Sequence, residues 1–592
     1  MFKSYLENKN NDIFYVIFLL SHLLYAGNPI SIDGLFEDWD EVDIAYSDQQ
    51  NDGSNADYSH MKITYDNQFL FIYFKFFDGE FLMQNWNEFH LYIDADDDSE
   101  TGKSIYSMGV DLEWSFGDRS GMKYLNGEQY EVYQNNISLR IAPTVTSSEF
   151  EIGISRSSLP LTLNNTQTLT DFKLLLFESG DGGDFMPSEL GGLSYTIGED
   201  NVVDPEPITL ERLNGSDIRL VSYNTWNNGI INMDRQHHFK RILQAIDPDI
   251  IAFQEHSDWE YVHDIIQSWF PDEDWHASWT YNDLVILSRF WIINDAHMGS
   301  GRTMAALLDT ENELGGNLLI FNSHLSCCDN NEDRQQQVDQ FAGEWREWVV
   351  NGSGPFEIDN GVPFIHVGDF NFVGYRKQVE TMRLGDIEDE GQYGIDFPPD
   401  WDGSSIVTLF PRHTHKRMGY TWRNDASSFN PGKLDYIFYS DLAINHSKHY
   451  VLNTLAIDEA SLNFNGLQWD DTQEASDHLP VVFDITIQDN VGIEDYDFLP
   501  AEFALFQNYP NPFNNYTEII FKLYKSADIS LKIFDVNGRE IKRVFFGYKE
   551  KGGYNLKWAG NNNFGHQVVS GIYFVLLENK NFSSSQKIIL LK

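Results

Sequence analysis

Ile218-Arg219-Leu220-Val221-Ser222-Tyr223-Asn224 is a short, mostly apolar run that ends on an amide. Further on, Ile250-Ile251-Ala252-Phe253-Gln254-Glu255 repeats the design and ends on a carboxylate. Between them Arg235–Ala245 carries apolar residues at helical spacing and stops at Asp247-Pro248. A helix between two short buried strands is the unit of a layered α/β fold. Working outward, Tyr261–Phe270 repeats the helical signal, while Leu284–Leu287, Leu318–Asn322, Phe364–Val367, Leu434–Phe438 and Val481–Ile485 read as further strands.

The ends of these strands carry the chemistry. Asn224 and Glu255 close the first two, His324 follows Ser323, and Asp369 and Asn371 follow Gly368. Asp477 and His478 stand just before Leu479-Pro480-Val481. One polar residue at a strand end is usually a turn residue; their recurrence is what a crevice site on an α/β sheet requires. Glu255 and Asp477 are hard oxygen donors of the kind magnesium prefers, and Asn224, Asp369 and Asn371 can hold water, phosphate or a second ion. Two histidines among carboxylates can take a proton from water and face a phosphate. No HExxH segment, Cys/His cluster or nucleophile elbow occurs, which argues against zinc peptidases and serine esterases.

The ordered set Ser222-Tyr223-Asn224-Thr225-Trp226, Gln254-Glu255, Leu287-Ser288-Arg289, Ser323-His324-Leu325, Gly368-Asp369-Phe370-Asn371, Lys433-Leu434-Asp435-Tyr436 and Ser476-Asp477-His478-Leu479-Pro480 resembles the endonuclease/exonuclease/phosphatase superfamily over residues 216–487. The resemblance implies a four-layer sandwich of two mixed sheets flanked by helices. It implies a metal-dependent phosphoric ester hydrolase, most readily an endonuclease-like phosphodiesterase, with a sphingomyelinase or phospholipase C-like enzyme, or an inactive glycan-binding protein, as the alternatives. It assigns Mg2+ or Mn2+ to Glu255 with Asn224 and Asp477. His478 paired with Asp435 becomes the base for water, Asp369 and Asn371 orient that water, and His324 binds the phosphate. Deoxyribonucleases of this family set a glutamate against the first histidine; here Asn282 takes that place, with Asp283 beside it. Arg412, Lys416 and Arg417, the concentrated basic stretch of an acidic domain, are expected to meet the substrate phosphate together with Asn282.

Residues 28–200 read as an all-β sandwich, with Phe69–Phe76, His90–Ile93, Phe150–Ile154 and Phe172–Phe177 as strands. Ile32-Asp33-Gly34 followed by Trp39 resembles carbohydrate-binding modules associated with xylanases; Trp39, Trp86 and Trp114 are candidates to stack on a glycan and, at least as readily, to fill the core that a sandwich of this size needs. Asp94, Asp96 and Asp98 alternate in a tight loop, a spacing that suits a structural Ca2+. Residues 201–215 and 488–502 read as linkers. The last segment, 503–592, has short strands between Gly/Asn turns, reading as a small all-β sandwich. Through Gln507-Asn508-Tyr509-Pro510-Asn511-Pro512 and Ser570-Gly571-Ile572-Tyr573 it resembles the sorting domain of the type IX secretion pathway.

Lys3, Lys9 and the short apolar run Ile13–Leu20 before Ala26 are laid out as a signal peptide over residues 1–26. With the tail, this implies export through the periplasm to the outer surface or medium, the secretion machinery as partner, and no membrane span after processing. The net charge is -24 over residues 1–200, -29 over 201–490 and +2 over 491–592. An acidic surface of that size repels nucleic acid at long range, which weighs against a duplex-tracking nuclease and leaves phospholipid headgroups open. Cys327 and Cys328, the only cysteines, are neighbours and exclude a disulfide-built scaffold.

Overall fold

The computed structural model describes residues 30–592 except 86, 159–168, 181, 189–190, 199–203, 280–282, 443, 487–502, 506–507, 509, 524–525, 537, 581–582 and 592. The signal peptide, Trp86, Asn282 and the whole of the second linker therefore lie outside the described residues. The chain forms two compact units: residues 1–208 with 412–433, and residues 209–411 with 434–592.

In the second unit two six-stranded mixed sheets carry the α/β region. One runs His276–Trp279, Leu284–Ser288, Ile250–Gln254, Ile218–Asn224, Val481–Thr486, Asn445–Val451; the other runs Ile292–Met298, Thr303–Leu308, Leu318–His324, Phe364–Asp369, Asp435–Tyr439, Val407–Thr408. Each has one parallel pair, Ile218–Asn224 with Ile250–Gln254 and Leu318–His324 with Phe364–Asp369.

Strand parity decides what each side chain meets, because successive residues point to opposite faces. Tyr223 stacks near Phe239 of the helix Gln236–Ile246. Phe321 packs against Phe341, Trp345 and Trp348 of the helix Asn331–Asn351, and His366 against Phe341. Those residues face the helices. Their neighbours face the opposite sheet: Gln254 donates to Asn322 Oδ1 (2.7 Å), and Asn322 donates to the carbonyl of Phe253 (2.9 Å). Asn224 shares the parity of Ser222, His324 that of Asn322, and Asp369 that of Val367. The hydrophobic alternation that builds the layers thus delivers all three polar residues to the inner face at one end of the sheet pair. Gly368, with φ +140°, pairs with Ser323, whose carbonyl a Cβ would meet at 2.0 Å. Only glycine lets the two strands that carry His324 and Asp369 approach so closely.

The first unit is an antiparallel sandwich. One sheet runs Ile44–Ser47, Tyr58–Tyr65, Phe69–Phe76, Glu149–Ser155, Arg140–Ala142; the other includes Asp171–Glu178, Phe89–Asp94, Leu112–Ser115 and Ser120–Leu125. Its core is built of Phe74, Phe76, Leu91, Trp114, Phe150 and Phe172, among others. Trp39 and Trp114 are 1% and 0% exposed, which decides for the core role and against stacking on sugar. Trp39 instead donates its indole N–H to Glu151 (2.9 Å), whose other oxygen accepts the backbone N–H groups of Asp33 and Gly34 (2.7 Å each). The Asp-Gly…Trp signature is a core-closing device here.

Residues 412–433 belong to this unit. Ile32 N–H donates to the carbonyl of Arg417 (3.0 Å) and Gly419 N–H to that of Ile32 (2.9 Å). Arg140 lies over the ring of Tyr420 and Arg119 over that of Phe429, at 5.0 and 4.0 Å from the centroids. The basic stretch is spent locally: Lys416 donates to Gln68 (2.7 Å) and Arg412 to the carbonyls of His413 and Glu206 (2.8 and 2.7 Å).

The C-terminal region has a three-stranded sheet (Phe503–Leu505, Thr517–Leu523, Gly552–Trp558) and a four-stranded one (Glu540–Lys549, Ala527–Asp535, Gly571–Glu578, Ser583–Leu590). They enclose a core of Phe521, Leu531, Ile533, Trp558, Val575 and Ile588.

Candidate active site

The strand ends of the two facing sheets converge. Asn224 Nδ2 donates to Glu255 Oε1 (3.1 Å) and to Asp369 Oδ2 (3.0 Å), so one amide ties both sheets to the same point. Glu255 follows inward-facing Gln254 and would continue outward in an extended chain. Its left-handed backbone, φ +54°, turns the carboxylate back, where it accepts the N–H of Asn227 (2.8 Å). Asn371 is left-handed too, φ +51°; its N–H donates to Asp369 Oδ1 (3.0 Å) and its amide to the carbonyl of Leu325 (3.1 Å).

His478 Nδ1 is 2.9 Å from Asp435 Oδ2, and its Nε2 is 3.6 Å from Asp369 Oδ2. Ser476 fixes this loop by donating to the carbonyl of Asn224 (2.8 Å) and accepting the N–H of His478 (3.1 Å). On the other side His324 Nε2 lies 4.0 Å from Glu255 and 3.8 Å from Asp369. Its Nδ1 is 3.2 Å from Asp283 Oδ2. The carboxylate partner that the sequence comparison left vacant at Asn282 is therefore supplied one residue later. Asp283 sits in the left-handed region, φ +65°, which redirects its side chain. Spacing alone did not single it out; the only signal was an acid adjacent to the expected position.

Two rings, His478 buried and His324 partly so, thus flank Asp369. Burial alone would lower the His478 pKa, but Asp435, Asp369, the hydrogen bond to Asp435 and Asp477 push it up to about 10. Burial likewise opposes protonation of His324, and the Asp283 hydrogen bond with the charges of Asp369, Asp283 and Glu255 raises it above the ordinary value. Burial raises Asp369 to about 6, Asp435 adding to this and the two histidines opposing it.

Ligand atoms of Glu255, His324 and Asp369 lie within 4.8 Å of one another, as do those of Asp369, Asp435 and His478. The two groups bring together three carboxylates and two imidazoles, and the carboxylate oxygens fit a hard divalent cation such as Mg2+ or Mn2+. Asp477 is half-buried next to His478. Arg412, Lys416 and Arg417, expected at the substrate phosphate, are found in the β-sandwich unit with the partners described above.

In the β-sandwich, Asp94, Asp96 and Asp111 offer ligand atoms within 4.8 Å of one another. Asp111, and not the expected Asp98, completes the group: Asp98 Oδ1 is turned to the N–H of Glu100 (3.0 Å). A second acidic group, Asp52, Asp57 and Asp184, was not anticipated. Its members are far apart in sequence except for the first two, so no local spacing announced it.

Residues 221–478 match the model of the Endonuclease/Exonuclease/phosphatase family, and residues 507–591 match that of the secretion system C-terminal sorting domain. No curated protein matches the chain in sequence. Similar solved structures include D. rerio TDP2 complexed with a single-strand DNA product (15% identity, 46% of this chain and 99% of that chain, TM-score 0.31). ANGEL2, a 2',3'-cyclic phosphatase, has 15% identity, covering 46% and 97%, with TM-score 0.31. Sphingomyelinase C from Streptomyces griseocarneus has 14% identity, covering 46% and 99%, with TM-score 0.27. Among the described residues no helix is long and apolar enough to cross a membrane. The chain carries a phosphoesterase-like catalytic domain of the endonuclease/exonuclease/phosphatase kind, a metal-dependent hydrolase, together with a C-terminal sorting domain for export to the cell surface or beyond.

Proposed function

We propose that this protein is an exported phosphodiesterase, endonuclease-like, in which water attacks phosphorus in line under the control of the Asp435–His478 pair. The observation that carries the reading is the convergence of His478, His324, Asn224 and Glu255 on the single buried carboxylate Asp369. Asp435 accepts the Nδ1 proton of His478 and so leaves Nε2 directed at the space beside Asp369. With the charge of Asp369 and Asp477 neutralised by the bound cation, Nε2 would no longer be held protonated by those carboxylates, and a water held there by Asp369 and the amide of Asn371 gives its proton to Nε2 as its oxygen bonds to phosphorus. The flanking carboxylates stabilise the imidazolium that results. His324, whose protonated form Asp283 and the neighbouring carboxylates favour against burial, faces the opposite side and donates to a phosphoryl oxygen whose charge grows in the transition state. Glu255, Asn224 and Asp369 would hold the divalent cation, with Asp477 nearby; when bound it supplies charge neutralisation on the phosphoryl group and leaving oxygen.

Trp226, 41% exposed and two residues from Asn224, supports a nucleic acid substrate, since an exposed indole gives an unpaired base a stacking platform. A phospholipase C-like reading is favoured by a different observation. The basic stretch around Arg412 is engaged in the β-sandwich unit, and the α/β region is left strongly acidic. A membrane-facing element would have to come from exposed apolar side chains such as Tyr261, Met233, Phe464 and Trp469, since Trp269 and Phe397 are buried. The β-sandwich is proposed to hold structural Ca2+ at Asp94, Asp96 and Asp111 and, in line with its family resemblance, to bind glycan.

A screen of the full-length protein with Mg2+ or Mn2+ across single-stranded and duplex DNA, RNA, sphingomyelin vesicles and bis(p-nitrophenyl) phosphate tests this. Cleavage of the small diester and of single-stranded DNA ahead of lipid is expected. Preference for sphingomyelin over every nucleic acid would replace the nuclease reading with the lipid one.

A further inference from the structure

The loop that follows His324 carries the only two cysteines of the chain, side by side and both exposed. We propose that Cys327 and Cys328 form a reversible vicinal disulfide that acts as a redox switch on the catalytic site, an inference that rests on the export and site assignments above.

Neighbouring side chains on an extended chain point to opposite faces, so adjacent thiols meet only where the backbone bends between them. Cys328 has φ +64°, the left-handed region that supplies such a bend. The Cys327 thiol, pushed up to about 11 by burial and by its neighbour Cys328, also feels the charge of Asp369. The loop is anchored on both sides of the pair. Buried Arg334 donates to the carbonyls of Ser326 (2.7 Å) and Cys328 (2.8 Å), and Asn330 Nδ2 donates to that of Cys327 (2.9 Å).

The route to the site is short. Leu325 N–H donates to the carbonyl of Asp369 (3.0 Å), and the carbonyl of Leu325 accepts the amide of Asn371. Closing an eight-membered ring at residues 327–328 forces new backbone angles two residues from that carbonyl. The Arg334 clamp resists the change at Ser326 and Cys328 and passes it to Leu325. Asn371 and Asp369 are then displaced together.

The chemistry balances against a disulfide-class oxidant of the extracellular or periplasmic space. A thiolate of the pair attacks an incoming disulfide, expelling one thiol, and the second cysteine sulfur displaces the other. One Sγ–Sγ bond forms, one external S–S bond breaks, both cysteines are oxidised, and the oxidant leaves as two thiols carrying the two protons. Consecutive Cα atoms are about 3.8 Å apart, below the usual range for a bridge, so the closed form is strained and easily reduced. Strained, exposed disulfides are the labile and regulatory ones.

The full-length protein treated with glutathione disulfide, then alkylated and weighed intact, tests the closure. The expected product is monomeric, two hydrogens lighter than the reduced chain, and takes up no alkylating reagent until dithiothreitol is added. Mn2+ binding by calorimetry on the same sample is expected to weaken about tenfold on closure and to recover on reduction. Cys327→Ser and Cys328→Ser should bind Mn2+ as the reduced wild type does, with or without oxidant. Two thiols still alkylated after treatment, a mixed disulfide that never resolves, or a closed pair with unchanged Mn2+ affinity would each overturn the proposal. Neither readout uses a substrate, so an inactive phosphodiesterase assay cannot be mistaken for failure of the switch.

Discussion

The acidic clusters of the α/β region and of the sandwich are built from similar carboxylates and differ in what stands beside them. Around Asp369 the acids are interleaved with His324, His478 and Asn224. In the sandwich, Asp94, Asp96 and Asp111, and again Asp52, Asp57 and Asp184, have no histidine in the group. The first arrangement can hold an ion and also move a proton, because each imidazole is oriented by its own carboxylate. The second can hold an ion and nothing more. Acid density alone therefore does not mark a catalytic centre; oriented proton carriers do.

The sharpest test of that contrast is His478→Ala. It is expected to lower kcat for bis(p-nitrophenyl) phosphate by about 10²–10⁴-fold while metal affinity, measured by calorimetry, changes little. Wild-type turnover in this variant would reduce the catalytic cluster to the status of the sandwich clusters. Next in size is Asp283→Asn. Loss of the carboxylate that orients His324 is expected to cost about 10–100-fold in kcat, the range for partners that act through another residue. If Asn282→Ala is the more damaging of the two, the assignment of Asp283 is wrong.

In the sandwich the comparison predicts metal effects without turnover effects. Asp111→Asn should weaken Ca2+ binding about tenfold, whereas Asp98→Asn should leave it nearly unchanged. Equal losses would restore the loop-only site. The smallest effect is one of pH. Burial pushes Asp111 and Asp184 from 3.8 to about 7. The folded chain then keeps protons that the unfolded chain releases at lower pH, so this stability is full below the unfolded value and is lost as pH rises through about 7. In chelator, the calorimetric transition that calcium shifts should move up by a few degrees, about 2–5 °C, between pH 8 and pH 5. A melting point that falls on acidification would show that these carboxylates are already ionised in the folded chain.

The α/β region was legible because its signals are local. An apolar run of five or six residues fixes a strand, the strand fixes parity, and parity sends Asn224, His324 and Asp369 to one face. What escaped the sequence is non-local or turns on a single backbone angle. Asp283 stands one place beyond the expected position, Asn282, and the left-handed turn that aims it leaves no compositional trace. Asp111 joins Asp94 and Asp96 through a register between strands, not through spacing along a loop. Trp39 and Trp114 looked equally suited to core or surface, since a large indole fits both, and only the packing assigns them to the core. Residues 412–433 read as a basic loop of the hydrolase because the contacts that claim them, with Ile32, Gln68, Arg119 and Arg140, lie hundreds of positions upstream.

That last stretch has a consequence for how the chain matures. A domain whose pieces are contiguous can fold as soon as its last residue emerges, and domains generally fold as units in order of synthesis. The sandwich unit takes its final piece from residues 412–433, so it stays incomplete while the first two hundred residues and most of the α/β region are already made. Until Arg417 and Gly419 arrive, Ile32 lacks its pairing partners and the entry segment before Trp39 stays open. For a protein bound for export this is a built-in delay at one edge: the Ile32 segment of the leading domain waits unpaired for most of the time that the chain is being drawn out, although the core beside it, Ala56 to Ile197, is already made.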